Sequence, residues 1–451
     1  MKKLIALLLA LVMVLGLAAC GASEKPAEPA APAAPAAPAE PAAPAEPSDE
    51  ITKLYTKPTE EVTLDVWYAV SGVTGEKFAA LIAEYCEANP NVHIEPIYSG
   101  NAGDTNEKVT ASLLAGTAPD VALLYAGPLY TGAYDDWTLE GLIEDPAFDK
   151  DGIYDGVWEY AQFQGRNCAL PYATSVPVLY YNAEIIEKAG IDLATEAPKT
   201  WDDLYALAEK AVKEGGATYG FDCSDVPWLF KSMLAQNGNS IIDTSSGNIE
   251  PVYNDDAAVE VGEFWQKLTA NGLMPVDQHA NADNTFLAGQ TAFIVSSSVR
   301  LARWTGKEGV PEFGCLPMPA FDQATVALGG PVLVALAKEK PTEEDNLKMA
   351  AAWDLLKFLM SEEKQTEFAL ATGYIPVYKD AMESDAVKAA IAADPRCETV
   401  YSYMANSWSY WHFDEMGTMD NIIGPMISEI ENGADVQEAL DKGVDQLLDE
   451  M

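Results

Sequence analysis

Basic residues are scarce in this chain. It holds 27 Lys and Arg against 70 Asp and Glu, a formal net charge of −43 over 451 residues. Neutralising phosphates needs clustered cations, so this balance argues against DNA or RNA binding and against polybasic attachment to an anionic membrane surface. The only arginines are Arg166, Arg300, Arg303 and Arg396, and the only histidines are His93, His279 and His412. No His-x-x-x-His pair occurs, which excludes a His-paired zinc protease site. After Cys20 the cysteines are Cys86, Cys168, Cys223, Cys315 and Cys397. That number is odd and no Cys-x-x-Cys is present, so neither a disulfide framework nor a thiolate metal site is expected. Gly-x-Ser-x-Gly, a P-loop and a dinucleotide glycine motif are also missing. Asp149-Lys150-Asp151-Gly152 has its Gly in the wrong place for an EF-hand loop. No catalytic residue, metal or cofactor is expected, and the chain is read as a non-enzyme. A pair of glycosidase carboxylates leaves no sequence signature, so a glycan-active enzyme stays as the distant alternative.

What is present is an ordinary globular composition, 49% hydrophobic and 22% charged, long enough for two or three domains. Residues 1–19 read as a signal peptide. Lys2 and Lys3 precede an apolar run of about 14 residues, short of the roughly 20 a bilayer span requires. Leu17-Ala18-Ala19-Cys20 resembles a bacterial lipobox, which makes Cys20 the expected lipidation site and the protein extracytoplasmic and membrane-anchored. Residues 20–50 follow as a stalk. Pro26, Pro29, Pro32, Pro35, Pro38, Pro41, Pro44 and Pro47 recur every third residue. Polyproline II has three residues per turn, so the stalk is expected to be an extended spacer on the order of 90 Å long.

The rest alternates strands with helices. Residues 62–68 alternate like a strand, and Phe78, Leu81, Ile82 and Tyr85 follow at helical spacing until Asn89-Pro90. Further strands are expected at 92–97 and 120–125, with a helix over 108–114. This order implies a mostly parallel sheet covered by helices. Thr200, Asn254-Asp255-Asp256, Thr342 and Ser361 mark helix starts, and their acidic neighbours complement the helix dipole. Val436, Leu440, Val444 and Leu447 share one face of a C-terminal helix.

Several segments in order resemble the family-1 extracellular solute-binding proteins of ABC importers, the group of maltose- and glycerol-3-phosphate-binding proteins. They are Pro171-Tyr172-Ala173-Thr174-Ser175-Val176-Pro177-Val178-Leu179-Tyr180-Tyr181-Asn182, Lys188-Ala189-Gly190-Ile191-Asp192, and Pro198-Lys199-Thr200-Trp201-Asp202-Asp203-Leu204. Phe286-Leu287-Ala288-Gly289-Gln290-Thr291-Ala292-Phe293, Ser296-Ser297-Ser298, Gly329-Gly330 and Thr372-Gly373-Tyr374-Ile375-Pro376-Val377 complete the set. The resemblance implies an α/β fold of two lobes joined by hinge strands, with ligand held in the cleft between them. Carried over, one lobe holds 58–171 plus 329–378 and the other 172–328 plus 379–451. The hinge includes 170–174, 328–332 and 374–378.

The same resemblance suggests ligand contacts. Trp67, Tyr68 and Ser71 end the first strand, and alternation lets at most one of the two aromatics face the cleft. Tyr125, Ser175, Trp228 and Tyr374 match ligand-contacting positions, with Trp228 the expected sugar-stacking ring. Ser296, Ser297 and Ser298 form a strand-to-helix corner, and Gly330 permits close backbone approach. The aromatic run Trp408-Ser409-Tyr410-Trp411-His412-Phe413 reads as core packing. The phosphate-binding Arg of the glycerol-3-phosphate group has no counterpart in Thr418-Met419-Asp420-Asn421-Ile422-Ile423, and no other Arg obviously replaces it. An uncharged oligosaccharide delivered to a permease by a monomeric binder is therefore expected. A glycerophosphodiester, another small polar solute or presentation to a sensor are the alternatives.

Overall fold

The computed structural model describes residues 49–125, 139–336, 341–409, 412–413 and 415–451. The signal peptide, Cys20 and the proline repeat lie outside the described residues, as do Tyr410 and Trp411. No described helix is long and apolar enough to cross a membrane.

Two four-stranded sheets carry the fold. The first is built from β1 (Val62–Tyr68), β2 (Val92–Tyr98), β3 (Val121–Tyr125) and a strand from far along the chain, Pro331–Ala335. Val62, Leu64 and Val66 are buried while Thr63 and Asp65 are exposed, so β1 shows the period-2 pattern of its sequence. The second sheet holds β4 (Pro177–Asn182), β5 (Tyr219–Cys223), β6 (Thr291–Ser297) and β7 (Phe313–Leu316). With Pro331–Ala335 as β8, the strand orders are β8-β3-β1-β2 and β7-β4-β6-β5. The first sheet is mostly parallel, as the order of segments over 62–125 implies, whereas the second is mostly antiparallel. β1 is parallel to β2 and β3, but β8 is antiparallel to β3. In the second sheet only β5 and β6 pair in parallel, while β4 runs against both β6 and β7. A strand inserted from a distant part of the chain is not bound to the right-handed crossover that keeps consecutive strands parallel.

Helices cover both sheets. α1 (Gly72–Ala88) buries Phe78, Leu81, Ile82 and Tyr85 against the first sheet. α2 (Ala102–Leu114) begins a turn and a half earlier than its apolar spacing indicates, because the Asn101 side chain accepts from Asp104 N–H and caps it. α3 (Trp201–Glu214) starts in a full capping box, Thr200 with Asp203. α4 (Val226–Gln236) is capped by Asp225, whose Oδ1 accepts from Trp228 N–H at 2.9 Å. α5 (Arg300–Trp304) follows β6 directly, and α6 (Glu343–Leu359) has a second capping box at Thr342. α7 (Met416–Glu431) and α8 (Val436–Glu450) close the chain, α8 burying Val436, Leu440, Val444 and Leu447 as their spacing predicts.

The chain passes between the two sheets along adjacent segments. Leu170 and Leu333 exchange N–H···O bonds at 2.8 Å, and Ser175 and Gly329 do so at 2.8 and 2.9 Å. Ile375 N–H donates to Thr174 O at 2.8 Å. The three expected hinge segments thus lie side by side as a narrow ladder. Gly330 sits within it at φ +129, and a Cβ there would overlap the Ala173 carbonyl oxygen. Only glycine suits both demands.

A buried charge cluster ties the second sheet to its helices. His279 Nδ1 lies 2.6 Å from Asp222 Oδ1 on β5, and Nε2 lies 2.7 Å from Glu431 Oε1 at the end of α7. Burial works to discharge this ring. Hydrogen bonds to Asp222, Cys223 and Glu431 outweigh it and raise the pKa from 6.5 to about 12. His279 is therefore an imidazolium clamped between two carboxylates.

Candidate functional site

A cavity of about 360 Å³ opens where the hinge ladder meets the ends of β3 and β6. Its floor is Leu328, Gly329 and Gly330 of the hinge. On the first-sheet side stand Tyr125, ending β3, and Tyr374, whose hydroxyl oxygen is 3.2 Å from that of Tyr125. Burial and the neighbouring Tyr125 hold the Tyr374 phenol well above its ordinary pKa, so it stays a neutral donor and acceptor. Tyr160 also lines this side and donates to Gly330 O at 3.0 Å. On the second-sheet side, Asp225, Trp228 and Lys231 come from the first turns of α4, and Ser297, Val299, Arg300 and Arg303 from the β6–α5 corner. Asp420 of α7 and Ser175 complete the wall.

Trp228 is fixed before any ligand arrives. Its indole N–H donates to Ala327 O at 3.0 Å, and its ring edge lies over Gly329, where a Cβ would meet it at 3.0 Å. The half-buried ring therefore keeps one orientation at the cavity wall.

Six of the eleven sequence-predicted contacts line this cavity: Tyr125, Ser175, Trp228, Ser297, Gly330 and Tyr374. The structure does not place the other five there. Trp67 is half-buried and in register with Ile97. The Tyr68 ring packs on Phe78 and Tyr98, with centroids 5.6 and 5.7 Å away. Ser71 is the exposed residue preceding α1. Ser296 Oγ is taken up by Ser224 Oγ at 2.8 Å and Asp283 Oδ1 at 3.0 Å, and Ser298 Oγ accepts from Val176 N–H at 3.2 Å. Strand alternation leaves only Ser297 of the three facing the cavity. The aromatic run is corrected in part: His412 and Phe413 are buried, but Trp408 is only half-buried, pairing with Ala327 in a short bridge.

Sequence reasoning missed the charged residues of the wall. Contrary to the expectation that no Arg replaces a phosphate contact, Arg300 and Arg303 both reach the cavity. The i, i+3 spacings Trp228–Lys231 and Ser297–Arg300–Arg303 would have placed them on the same faces as predicted contacts. Two of the three cations are already neutralised. Lys231 Nζ, with its side chain 2% exposed, pairs with Asp420 Oδ1 at 2.6 Å, and Arg300 pairs with Asp283 Oδ2 at 2.6 Å. Arg303 is exposed. The result is a nearly charge-balanced pocket with planar polar groups, hydroxyls and aromatic faces, suited to a polyhydroxylated solute.

Two other features lie apart from this cavity. A hollow of about 480 Å³ lies between the helix Asp49–Leu54 and α6, against Ile51, Leu54, Leu336 and Met349, and shares no lining residue with the hinge cavity. Asp222, Cys223 and His279 bring potential metal-ligand atoms within 4.8 Å of one another. Both ring nitrogens of His279 are already engaged by carboxylates, so the cluster is accounted for as an ion triad.

Comparison with known proteins places this geometry. Residues 80–395 match the family described as bacterial extracellular solute-binding protein. The sn-glycerol-3-phosphate-binding periplasmic protein of Escherichia coli (strain K12) is 25% identical over 373 residues, covering 76% of this chain and 81% of that protein. Among solved structures, the cyclic alpha-maltosyl-1,6-maltose binding protein from Arthrobacter globiformis superposes with a TM-score of 0.74 at 22% identity, covering 86% of this chain and 99% of the other. A Mycobacterium tuberculosis protein solved in complex with glycerophosphocholine gives 0.71 at 22% identity, covering 86% and 98%. Both share the two-lobed fold.

Proposed function

The chain belongs to the bacterial extracellular solute-binding protein family, and from that premise we propose that it captures a neutral oligosaccharide in the hinge cavity and hands it to the permease of an ABC importer. The observation that carries the ligand class is the charge balance of the wall: Lys231 and Arg300 are each paired with a carboxylate, Asp225 and Arg303 add one charge of each sign, and the rest is aromatic, hydroxylic or apolar. A pyranose offers an apolar face to Trp228 and hydroxyls to Ser175, Ser297 and the Tyr125–Tyr374 pair. The ligand residues are thus Tyr125, Ser175, Trp228, Ser297, Gly330 and Tyr374, with Tyr160 added. Closure is a hinge motion about the ladder at 170–175, 328–333 and 374–375. The lobes divide as 58–171 plus 329–378 and 172–328 plus 379–451. Lipidation of Cys20 and the stalk tether a monomeric binder outside the cytoplasm, and no catalytic step is assigned.

A glycerophosphodiester is the second reading, and Arg303 favours it. It is an exposed guanidinium at the cavity with no carboxylate within ion-pair distance among the described residues. Thermal-shift screening of residues 51–451 separates the two. A ligand at about a thousand times its Kd raises stability by roughly 4 kcal/mol. A shift with neutral glycans is the expected result, whereas a shift with phosphodiesters alone would overturn the carbohydrate assignment.

A further inference from the structure

The cavity accounts for a small solute, but the first sheet carries a second aromatic feature beside it. β2 is the edge strand, and its last two residues, Ile97 and Tyr98, are exposed at 49% and 48%. Tyr98 is not a loose side chain. It is in register with Tyr68 on β1, and the two rings meet at 5.7 Å with a 50° tilt. Tyr68 in turn leans on buried Phe78 at 5.6 Å. On β3, Tyr125 lies two residues beyond Leu123, the partner of Tyr68. Strand alternation then puts Tyr125, Tyr68 and Tyr98 on the same face at the C-terminal end of three adjacent strands.

This end of the sheet is where α/β proteins hold ligands, since the strands there run into loops that present side chains and free backbone. The line begins in the cavity, at the Tyr374–Tyr125 hydroxyl pair. Neighbouring strands are about 4.8 Å apart, so β3 to β2 adds roughly 10 Å of lateral reach. Three residues beyond Tyr68, Ser71 is exposed, and its hydroxyl makes no cap bond to α1. Phenol rings already ordered by their neighbours give an apolar platform at little entropic cost, with hydroxyls beside it.

From this we infer that the binding site continues out of the cavity over β1 and β2, and that Tyr98 is the platform for the distal sugar units of a chain longer than a disaccharide. This rests on the carbohydrate reading above. It makes Tyr98 a chain-length determinant and gives Tyr68, outside the cavity itself, a role in holding it.

The test uses isothermal titration of residues 51–451 with α-1,4-gluco-, β-1,4-gluco- and β-1,4-xylo-oligosaccharides of two to six units. In at least one series the wild-type affinity is expected to rise about tenfold or more from the di- to the tetrasaccharide. Tyr98→Ala keeps the disaccharide affinity and loses most of that rise, and Tyr98→Phe keeps both. Unchanged disaccharide binding and melting temperature in Tyr98→Ala show that the variant is folded. If the rise survives in Tyr98→Ala, or the wild type shows none, the ledge is refuted while the carbohydrate reading stands. If no glycan of any length binds, the carbohydrate reading falls and the ledge with it.

Discussion

Replacing Trp228 by Ala is expected to weaken solute binding by about 30- to 150-fold in a protein that still folds. The indole is half-buried at the cavity and held by the 3.0 Å bond to Ala327 O. A sugar ring seated on its free face removes on the order of 50 Å² of apolar surface from water, worth about 1.3 kcal/mol at about 25 cal/mol per Å². The aromatic contact adds about 0.5–1.5 kcal/mol. The sum is roughly 2–3 kcal/mol, and about 1.4 kcal/mol is a factor of ten in Kd. The pinned ring loses no rotamer freedom on binding, so little of this is offset. Trp228→Phe keeps an aromatic face but drops the bond to Ala327, and it should fall between the two. Titration calorimetry with the best ligand from the thermal-shift panel gives the affinities. Melting without ligand reports the fold, where losing one hydrogen bond costs about 0.5–1.5 kcal/mol. Binding by Trp228→Ala within twofold of wild type, at a near-native melting temperature, would refute the stacking role.

Three further outcomes follow from the geometry. Arg303→Ala should leave neutral glycan binding within about threefold, whereas a bound phosphodiester would lose about 10- to 150-fold, the worth of a charge-assisted hydrogen bond; equal losses for both ligands would contradict the separate reading of this guanidinium. Gly330→Ala should destabilise the hinge by about 3 kcal/mol or more, because a Cβ collides with Ala173 O in a backbone region that L side chains avoid; an unchanged urea midpoint would disprove this. His279 has its pKa raised from 6.5 to about 12 in the folded state, so its charge contributes fully below pH 6.5 and the contribution is lost as pH rises toward 12. The stability gap between wild type and His279→Asn should therefore shrink between pH 6.5 and 9.5, by up to about 1.4 kcal/mol per unit. Asp222, Cys223 and Glu431 face this ring, and a gap independent of pH in urea titrations would show that they do not hold it charged.

Local chemistry fixed much of the architecture in advance. Val62–Tyr68 reads as a strand because a half-buried strand alternates, and the caps at Thr200, Thr342 and Ser361 form as read because their hydroxyls need only neighbouring N–H groups. The antiparallel course of β8 and β4 was not legible, since strand direction depends on where a distant segment enters the sheet. The site divides in the same way. Motif position led to Trp228 and Tyr374, which line the cavity, but Ser296 and Ser298 were not separated from Ser297, because their partners Asp283, Ser224 and Val176 are set by packing.

The sequence by itself determined the composition class, the acidic charge balance, most of the strand and helix segments and the family's ordered motifs, because each depends on residues close together in the chain or on a simple sum of charges. Only the tertiary structure decided that Lys231 and Arg300 are neutralised by Asp420 and Asp283, that Arg303 reaches the cavity, and that Tyr125, Tyr68 and Tyr98 align across three strands. Pairing energies and strand register act between groups tens to hundreds of residues apart, and no local pattern records which of them folding will bring together.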